Sequence, residues 1–155
     1  MRRQPATQTA PEAPGGVQAL NLGVQRLILE DFPPVDLARA LSSNGRAHWA
    51  VRQKAKKAVQ IAVWEAWVCR QDDLVPVPPP ARVTYRWIVP DRKERDIDNH
   101  HGSGVVKACQ DALVKLVKLL PGGDHATALT SSVEIVYEKG RRALVIEIEP
   151  AEGEV

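Results

Sequence analysis

The most regular hydrophobic pattern in this 155-residue chain runs from residue 104 to residue 120. Its apolar residues recur at intervals of three and four, which is the spacing of one face of an α-helix. They are Val105, Ala108, Cys109, Ala112, Leu113, Leu116, Val117 and Leu120. The opposite face is charged, and Pro121 with the two glycines after it would end the helix. A helix with one apolar face must bury that face, so the segment predicts a helix packed on a larger core.

The remaining segments alternate between strand-like and helix-like patterns. The predicted strands are 24–34, 81–90 and a β-hairpin over 130–150 with Gly140 in its turn. A second helix is predicted from 50 to 70, where the chain lacks glycine and proline, and the prolines of 75–80 predict a stiff connector. The order β-α-β-α-β-β predicts an α+β fold, a small mixed β-sheet with two helices packed on it.

The length fits one folded domain between two tails. Residues 1–20 lack apolar clusters and predict a disordered tail, residues 21–150 form the domain, and 151–155 form an acidic tail. No apolar run approaches the ~20 residues that span a bilayer, and the N-terminus lacks the hydrophobic core of a signal peptide. Cys69 and Cys109 have no CxxC partner, so we expect two buried thiols and a cytoplasmic location.

The charge of the chain is unevenly distributed, although the net charge is only +2. Six Lys and Arg residues and no acid lie from Arg39 to Lys57, whereas four glutamates lie in the last nine residues. This local basic region favours an anionic partner.

Two aspartates in the stretch "PDRKERDIDN" are candidate metal ligands. Asp96 and Asp98 are two residues apart, so in an extended chain their carboxylates project from the same face and can converge on one cation such as Mg²⁺. The basic residues just before them could hold phosphates; they are Arg92, Lys93 and Arg95. The alternative is a polar turn in which Asn99 caps the next helix.

Further candidates lie on either side of this motif. Lys107 is near the start of the predicted helix and Asp124 follows its end, but a ~17-residue helix rises roughly 25 Å, so the sequence leaves open whether Asp124 returns to Asp96 and Asp98. Asp111 is one turn after Lys107, where a surface ion pair would explain it. Asn44, Arg46, His48 and Trp49 lead into the basic helix, either to contact nucleic acid or as a loop anchored by a buried tryptophan.

The stretch "VPDRKERDIDN" followed by "KACQDAL" resembles the RusA family of Holliday junction resolvases, and "SSNGRAHWAVRQKAKK" is similar to the N-terminal part of that family. The resemblance runs from about residue 24 to residue 150, which makes 21–150 a RusA-like endonuclease domain of a phage or bacterial cell. It implies a homodimer that cuts four-way DNA junctions in recombination and repair, with Mg²⁺ or Mn²⁺ as the cofactor.

The resemblance also implies a role for each motif residue. It implies metal ligands at Asp96, Asp98 and Asp124 and an assisting Lys107. It implies DNA-backbone contacts from Asn44, Arg46, His48, Arg52, Lys56, Arg92, Lys93 and Arg95. The chain departs from the family pattern in the extra residues 100–104 and in the lone Asp124, so Asp111 is the alternative third ligand.

Two other functions fit parts of the pattern. A dimer of the same fold could bind branched DNA without cutting it. A D-x-D pair also occurs in metal-dependent nucleotide-sugar transferases, although such enzymes are generally larger than this chain.

Overall fold

The computed structural model describes residues 23–42, 47–95, 100 and 103–151. The strands are β1 Gln25–Glu30, β2 Ala81–Val89, β3 Leu129–Tyr137 and β4 Ala143–Pro150. The α-helices are α1 Val35–Ala40, α2 Trp49–Val68 and α3 Gly104–Asp111. The four strands form one mixed sheet in the order β1-β4-β2-β3. The predicted α+β class is confirmed, with three helices in the described part of the chain rather than two.

Strand β2 lies in the interior of the sheet, and its two faces differ. Alternate residues such as Val83 and Tyr85 are fully buried in the core that the helices cover. The other set of alternate residues, such as Arg82 and Arg86, projects from the opposite face. The predicted strand 81–90 is therefore confirmed to within one residue.

The predicted β-hairpin over 130–150 is wrong. β3 and β4 do not pair with each other, because β2 lies between them and pairs with β3 in parallel and with β4 antiparallel. The connecting segment 138–142 instead crosses the end of β2. There the backbone N–H of Glu138 donates to Val89 O at 3.0 Å, and that of Gly140 donates to Pro90 O at 3.2 Å. Gly140 does occupy a turn, with φ +73°.

The observed α-helix is shorter than the helix predicted over 104–120. Regular α-helix ends at Asp111, a π-helical turn follows over Ala112–Leu116, and Lys118 has φ +55°. The N–H groups of Leu119 and Leu120 both donate to Leu113 O, and Leu119 O accepts from the proline-rich connector at Val77 N. The apolar pattern extends beyond Asp111 because most apolar side chains that follow it are buried, although the regular α-helix has ended there.

The other local predictions have mixed outcomes. The strand predicted over 24–34 ends at Glu30, because the short helix α1 begins directly after Pro34, where a preceding proline is well tolerated. Helix α2 agrees with the predicted 50–70. Cys109 is buried as expected, but Cys69 lies just past the end of α2 and is exposed. No helix in the described ranges is long and apolar enough to cross a membrane.

A ladder of ion pairs crosses the sheet face that the helices leave uncovered. Glu147 on β4 accepts from Arg26 Nε at 2.6 Å and from Arg86 Nη1 at 2.7 Å, and Arg86 Nε reaches Glu134 on β3 at 2.9 Å. Each strand contributes one member. The hydrogen bond from Arg86, and then that from Arg26, hold the pKa of the nearly buried Glu147 below its ordinary value despite desolvation.

This ladder predicts a pH-dependent contribution to stability. Because the folded pKa of Glu147 is below its unfolded pKa of about 4.3, its carboxylate stabilises the fold above that pH and the contribution is lost as pH falls through the folded pKa. Glu147→Gln is expected to lower the free energy of unfolding by roughly 2 kcal/mol at pH 7 and to flatten its decline towards pH 3. Urea unfolding at both pH values measures this. Glu149→Gln is the control, since Glu149 is more exposed and lies 3.7 Å from Arg82; equal pH dependence in wild type and Glu147→Gln would contradict the assignment.

Candidate functional site

Lys107 joins two carboxylates that are distant in sequence. Its Nζ lies 3.1 Å from Asp111 Oδ1 and 3.2 Å from Asp124 Oδ2. Lys107 is one turn into α3, whose N-cap is Ser103, with Oγ accepting from Val105 N at 3.0 Å. Asp124 returns to Lys107, whereas its position relative to Asp96 and Asp98 falls outside the described residues.

The early end of α3 brings Asp124 back. After the π-helical turn the chain reverses, and Gly122 packs so closely on Pro79 that a Cβ there would lie 2.6 Å from the proline ring. Asp124 then follows within a few residues. A straight helix to residue 120 would have carried this part of the chain away from Lys107.

Lys107 and Asp124 stabilise each other's ionised forms. The hydrogen bond with Asp111, and then that with Asp124, raise the pKa of Lys107 above its ordinary value. The hydrogen bond with Lys107 is the main cause of a lowered pKa at Asp124. Near neutral pH the Lys107 ammonium and the Asp124 carboxylate therefore form a charged pair that is partly accessible to solvent.

A second layer of polar contacts lies beneath this cluster. The hydroxyl of Tyr85, a fully buried residue of β2, donates to Gln110 Oε1 at 3.2 Å. Gln110 also makes a small contribution to the lowered pKa of the Asp124 carboxyl. The sequence did not predict Gln110 as a site residue, because a glutamine between an apolar stripe and a charged one carries no distinctive pattern.

The basic segment before the D-x-D motif is held by several local contacts. Arg95 Nη1 lies 2.9 Å from Asp91 Oδ1 and also donates to the backbone oxygens of Asp91 and Lys93. The guanidinium of Arg92 lies 4.2 Å from the centre of the Tyr137 ring. Lys93 is exposed, and its backbone N–H donates to Asp91 Oδ1. Of the three predicted phosphate contacts, Lys93 is therefore the one whose side chain makes no ion pair or hydrogen bond with another described residue.

The basic residues of α2 divide into two groups. His48 is the N-cap of the helix, with Nδ1 accepting from Ala50 N at 3.1 Å, and Arg52 Nη1 donates to Ala40 O at 2.9 Å. Both therefore have structural roles. Lys56 is half-buried at the side of the helix. Trp49 is 71% exposed, so the alternative of a buried tryptophan anchor is wrong.

Five predicted site residues lie outside the described residues: Asn44, Arg46, Asp96, Asp98 and Asn99. Asp96 and Asp98 fall between Arg95 and His100, and the His100 ring packs edge-on against Trp87 at 4.7 Å between centroids. Within the described ranges no three His, Cys, Asp or Glu side chains come together as a potential metal site. Asp111 and Asp124 supply carboxylate oxygens, the donor type that Mg²⁺ prefers.

No protein-family model matches the sequence, and no curated protein is significantly similar to it. The resemblance to the RusA family therefore stays a prediction, carried by the motif residues.

Proposed function

We propose that this protein is a metal-dependent, structure-selective endonuclease that resolves four-way (Holliday) DNA junctions by phosphodiester hydrolysis, as the RusA-like motif predicts. The observation that carries the proposal is the contact of Lys107 with both Asp111 and Asp124. In the sequence, only a motif pattern linked Lys107 on α3 with Asp124 after the helix, and in the structure the two side chains are in contact. A surface ion pair between Lys107 and Asp111 alone would not require Asp124.

Asp96, Asp98 and Asp124 are the proposed ligands of Mg²⁺ or Mn²⁺, with Asp111 as the alternative to Asp124. Such an ion supplies Lewis-acid polarisation of the phosphate and lowers the pKa of a bound water. Lys107 lowers the pKa of the Asp124 carboxyl and provides a positive charge that can stabilise the developing charge on the scissile phosphate. Gln110, held by the Tyr85 hydroxyl, helps to lower the pKa of the Asp124 carboxyl.

The proposed DNA contacts are electrostatic and aromatic. Lys93, Lys56 and the free edges of the guanidinium groups of Arg52, Arg92 and Arg95 would contact phosphates, together with Arg46 and Asn44. The exposed ring of Trp49 is available to stack on a base. Because phosphate contacts release counterions, binding should weaken steeply with salt. A homodimer would present two such sites to symmetric arms of a junction.

The decisive experiment is incubation of a labelled four-way junction with the protein, with and without Mg²⁺. Symmetric nicks that need the metal are expected. Asp98→Asn is expected to abolish cutting while leaving binding intact or tighter, since it removes negative charge near a phosphate. Gel mobility shifts of the same junction measure the binding.

The same assay separates the alternatives. Junction that is retarded but stays uncut at every Mg²⁺ and Mn²⁺ concentration would contradict the nuclease and favour a branched-DNA-binding dimer of the same fold. Binding that is insensitive to salt would contradict both DNA functions. Loss of folding in Asp98→Asn, seen by circular dichroism, would assign Asp98 a structural role instead.

A further inference from the structure

Helix α2 has an apolar stripe on the side that faces away from the core. Its core side is formed by Ala55, Val59 and Val63, which are buried. On roughly the opposite side Ile61 is 55% exposed, Trp64 is 44% exposed and Val68 is also exposed. Exposed aliphatic and indole groups in register on one helix face are typical of an interaction surface, because isolated surface residues do not repeat at helical intervals.

The stripe has the spacing of a helix-pairing surface. Its exposed members are Lys54, Lys57, Ala58, Ile61, Trp64, Glu65 and Val68, which we call the outer stripe. Lys54, Ile61 and Val68 are seven residues apart, and the other members fall three or four residues after Lys54 and Ile61. A seven-residue repeat keeps one seam facing a partner helix along its whole length.

The outer stripe is self-complementary when two copies run antiparallel about Ile61. A two-fold axis at Ile61 pairs each residue before it with the residue equally far after it in the second copy. Lys57 therefore faces Glu65 of the second copy, and Ala58 faces its Trp64. Ile61 meets its own copy, and the aliphatic stem of Lys54 lies over Val68. Opposite charges meet, and the smallest side chain meets the largest.

We propose that the outer stripe of α2 is the contact surface of a homodimer in which the two α2 helices pack antiparallel, centred on Ile61. The two charges are available for this role, since neither Lys57 nor Glu65 takes part in an ion pair among the described residues. Antiparallel packing also places each helix end beside the opposite end of its partner's dipole. The inference specifies the dimer of the proposed function, but it is carried by this surface and is tested without DNA or metal, so the two proposals can fail separately.

Charge reversal tests the register. In sedimentation equilibrium, Lys57→Glu or Glu65→Lys alone is expected to raise the dimer dissociation constant about 10-fold, because two attractive pairs become two repulsive ones. The double variant Lys57→Glu/Glu65→Lys is expected to return it close to the wild-type value. Lys56→Glu makes the same charge change on the side of the helix and should leave it unchanged. A wild-type monomer at every concentration, or a double variant no better than the single ones, would overturn the proposal.

Cross-linking tests the direction of packing. In a Cys69→Ser background, Ile61→Cys is expected to form a disulfide-linked dimer under mild oxidation, since the residue lies on the two-fold axis. Lys54→Cys is expected to stay monomeric on denaturing gels, because its two copies would lie roughly 20 Å apart. Efficient cross-linking at position 54, or none at position 61, would overturn the antiparallel arrangement. Circular dichroism of each variant checks that these exposed substitutions leave the helix content unchanged.

Discussion

Asp124→Asn is expected to lower the rate of junction cleavage about 100-fold or more at saturating Mg²⁺, since an amide is a poor substitute for a metal-binding carboxylate. The substitution also removes the ion pair that Asp124 makes with Lys107 at 3.2 Å. Junction binding is expected to be unchanged or tighter, because negative charge is lost beside a phosphate site. Single-turnover cleavage and mobility shifts on the same preparation measure the two effects.

Asp111→Asn is the matched control for this prediction. Asp111 contacts the same Nζ at 3.1 Å, and the substitution makes the same chemical change. If Asp124 is the third ligand, Asp111→Asn removes only one of the two partners of Lys107 and should cost no more than about 10-fold, the low end for an outer-shell partner. The opposite order, with Asp111→Asn inactive and Asp124→Asn active, would assign the ligand to Asp111. Full activity in both variants would contradict a catalytic role for this cluster.

Leu113→Ala is expected to lower the free energy of unfolding by about 3–4 kcal/mol. Leu113 is fully buried at the start of the π-helical turn, and its backbone oxygen accepts hydrogen bonds from Leu119 and Leu120. Truncation leaves a cavity beneath the place where the chain reverses towards Asp124. Urea denaturation followed by tryptophan fluorescence measures the loss.

Leu116→Ala is the control, because it deletes the same atoms three residues later from a side chain that is 47% exposed. Its cost should stay within about 0.5 kcal/mol. A regular helix from 104 to 120 would bury both leucines on one apolar face, as the sequence pattern suggested. Similar losses in the two variants would therefore contradict the π-helical turn and the reversal that it produces.

The sequence predicted the strands and helices better than their partners. Alternation along β2 and the uninterrupted apolar face of α2 depend on local burial, and both elements lie within two residues of the predicted bounds. The hairpin prediction failed because turn residues such as Gly140 indicate that the chain reverses but not which strand lies beside it. Insertion of β2 between β3 and β4 is decided by long-range packing, and nothing local in residues 130–150 encodes it.

At the candidate site, too, the sequence predicted the residues but not their contacts. The motif indicated Lys107, Asp111 and Asp124 as residue types, whereas their meeting depends on where α3 ends. That end is set by the connector at Val77 and by the packing of Gly122 on Pro79, which are tertiary contacts. Gln110 and Tyr85 were missed for the same reason, since their relation to Asp124 exists only across the core.

The segment between β3 and β4 has the appearance of an ordinary exposed turn, where added residues are commonly harmless. In this fold it holds the chain that leads into the D-x-D motif: Glu138 and Gly140 bind the backbone oxygens of Val89 and Pro90, and Tyr137 supports the guanidinium of Arg92. The length of this turn is thus dictated by a segment nearly fifty positions earlier in the chain. A single inserted residue would break the match between this turn and the backbone oxygens of Val89 and Pro90, so the turn acts as a spacer fitted to the end of β2.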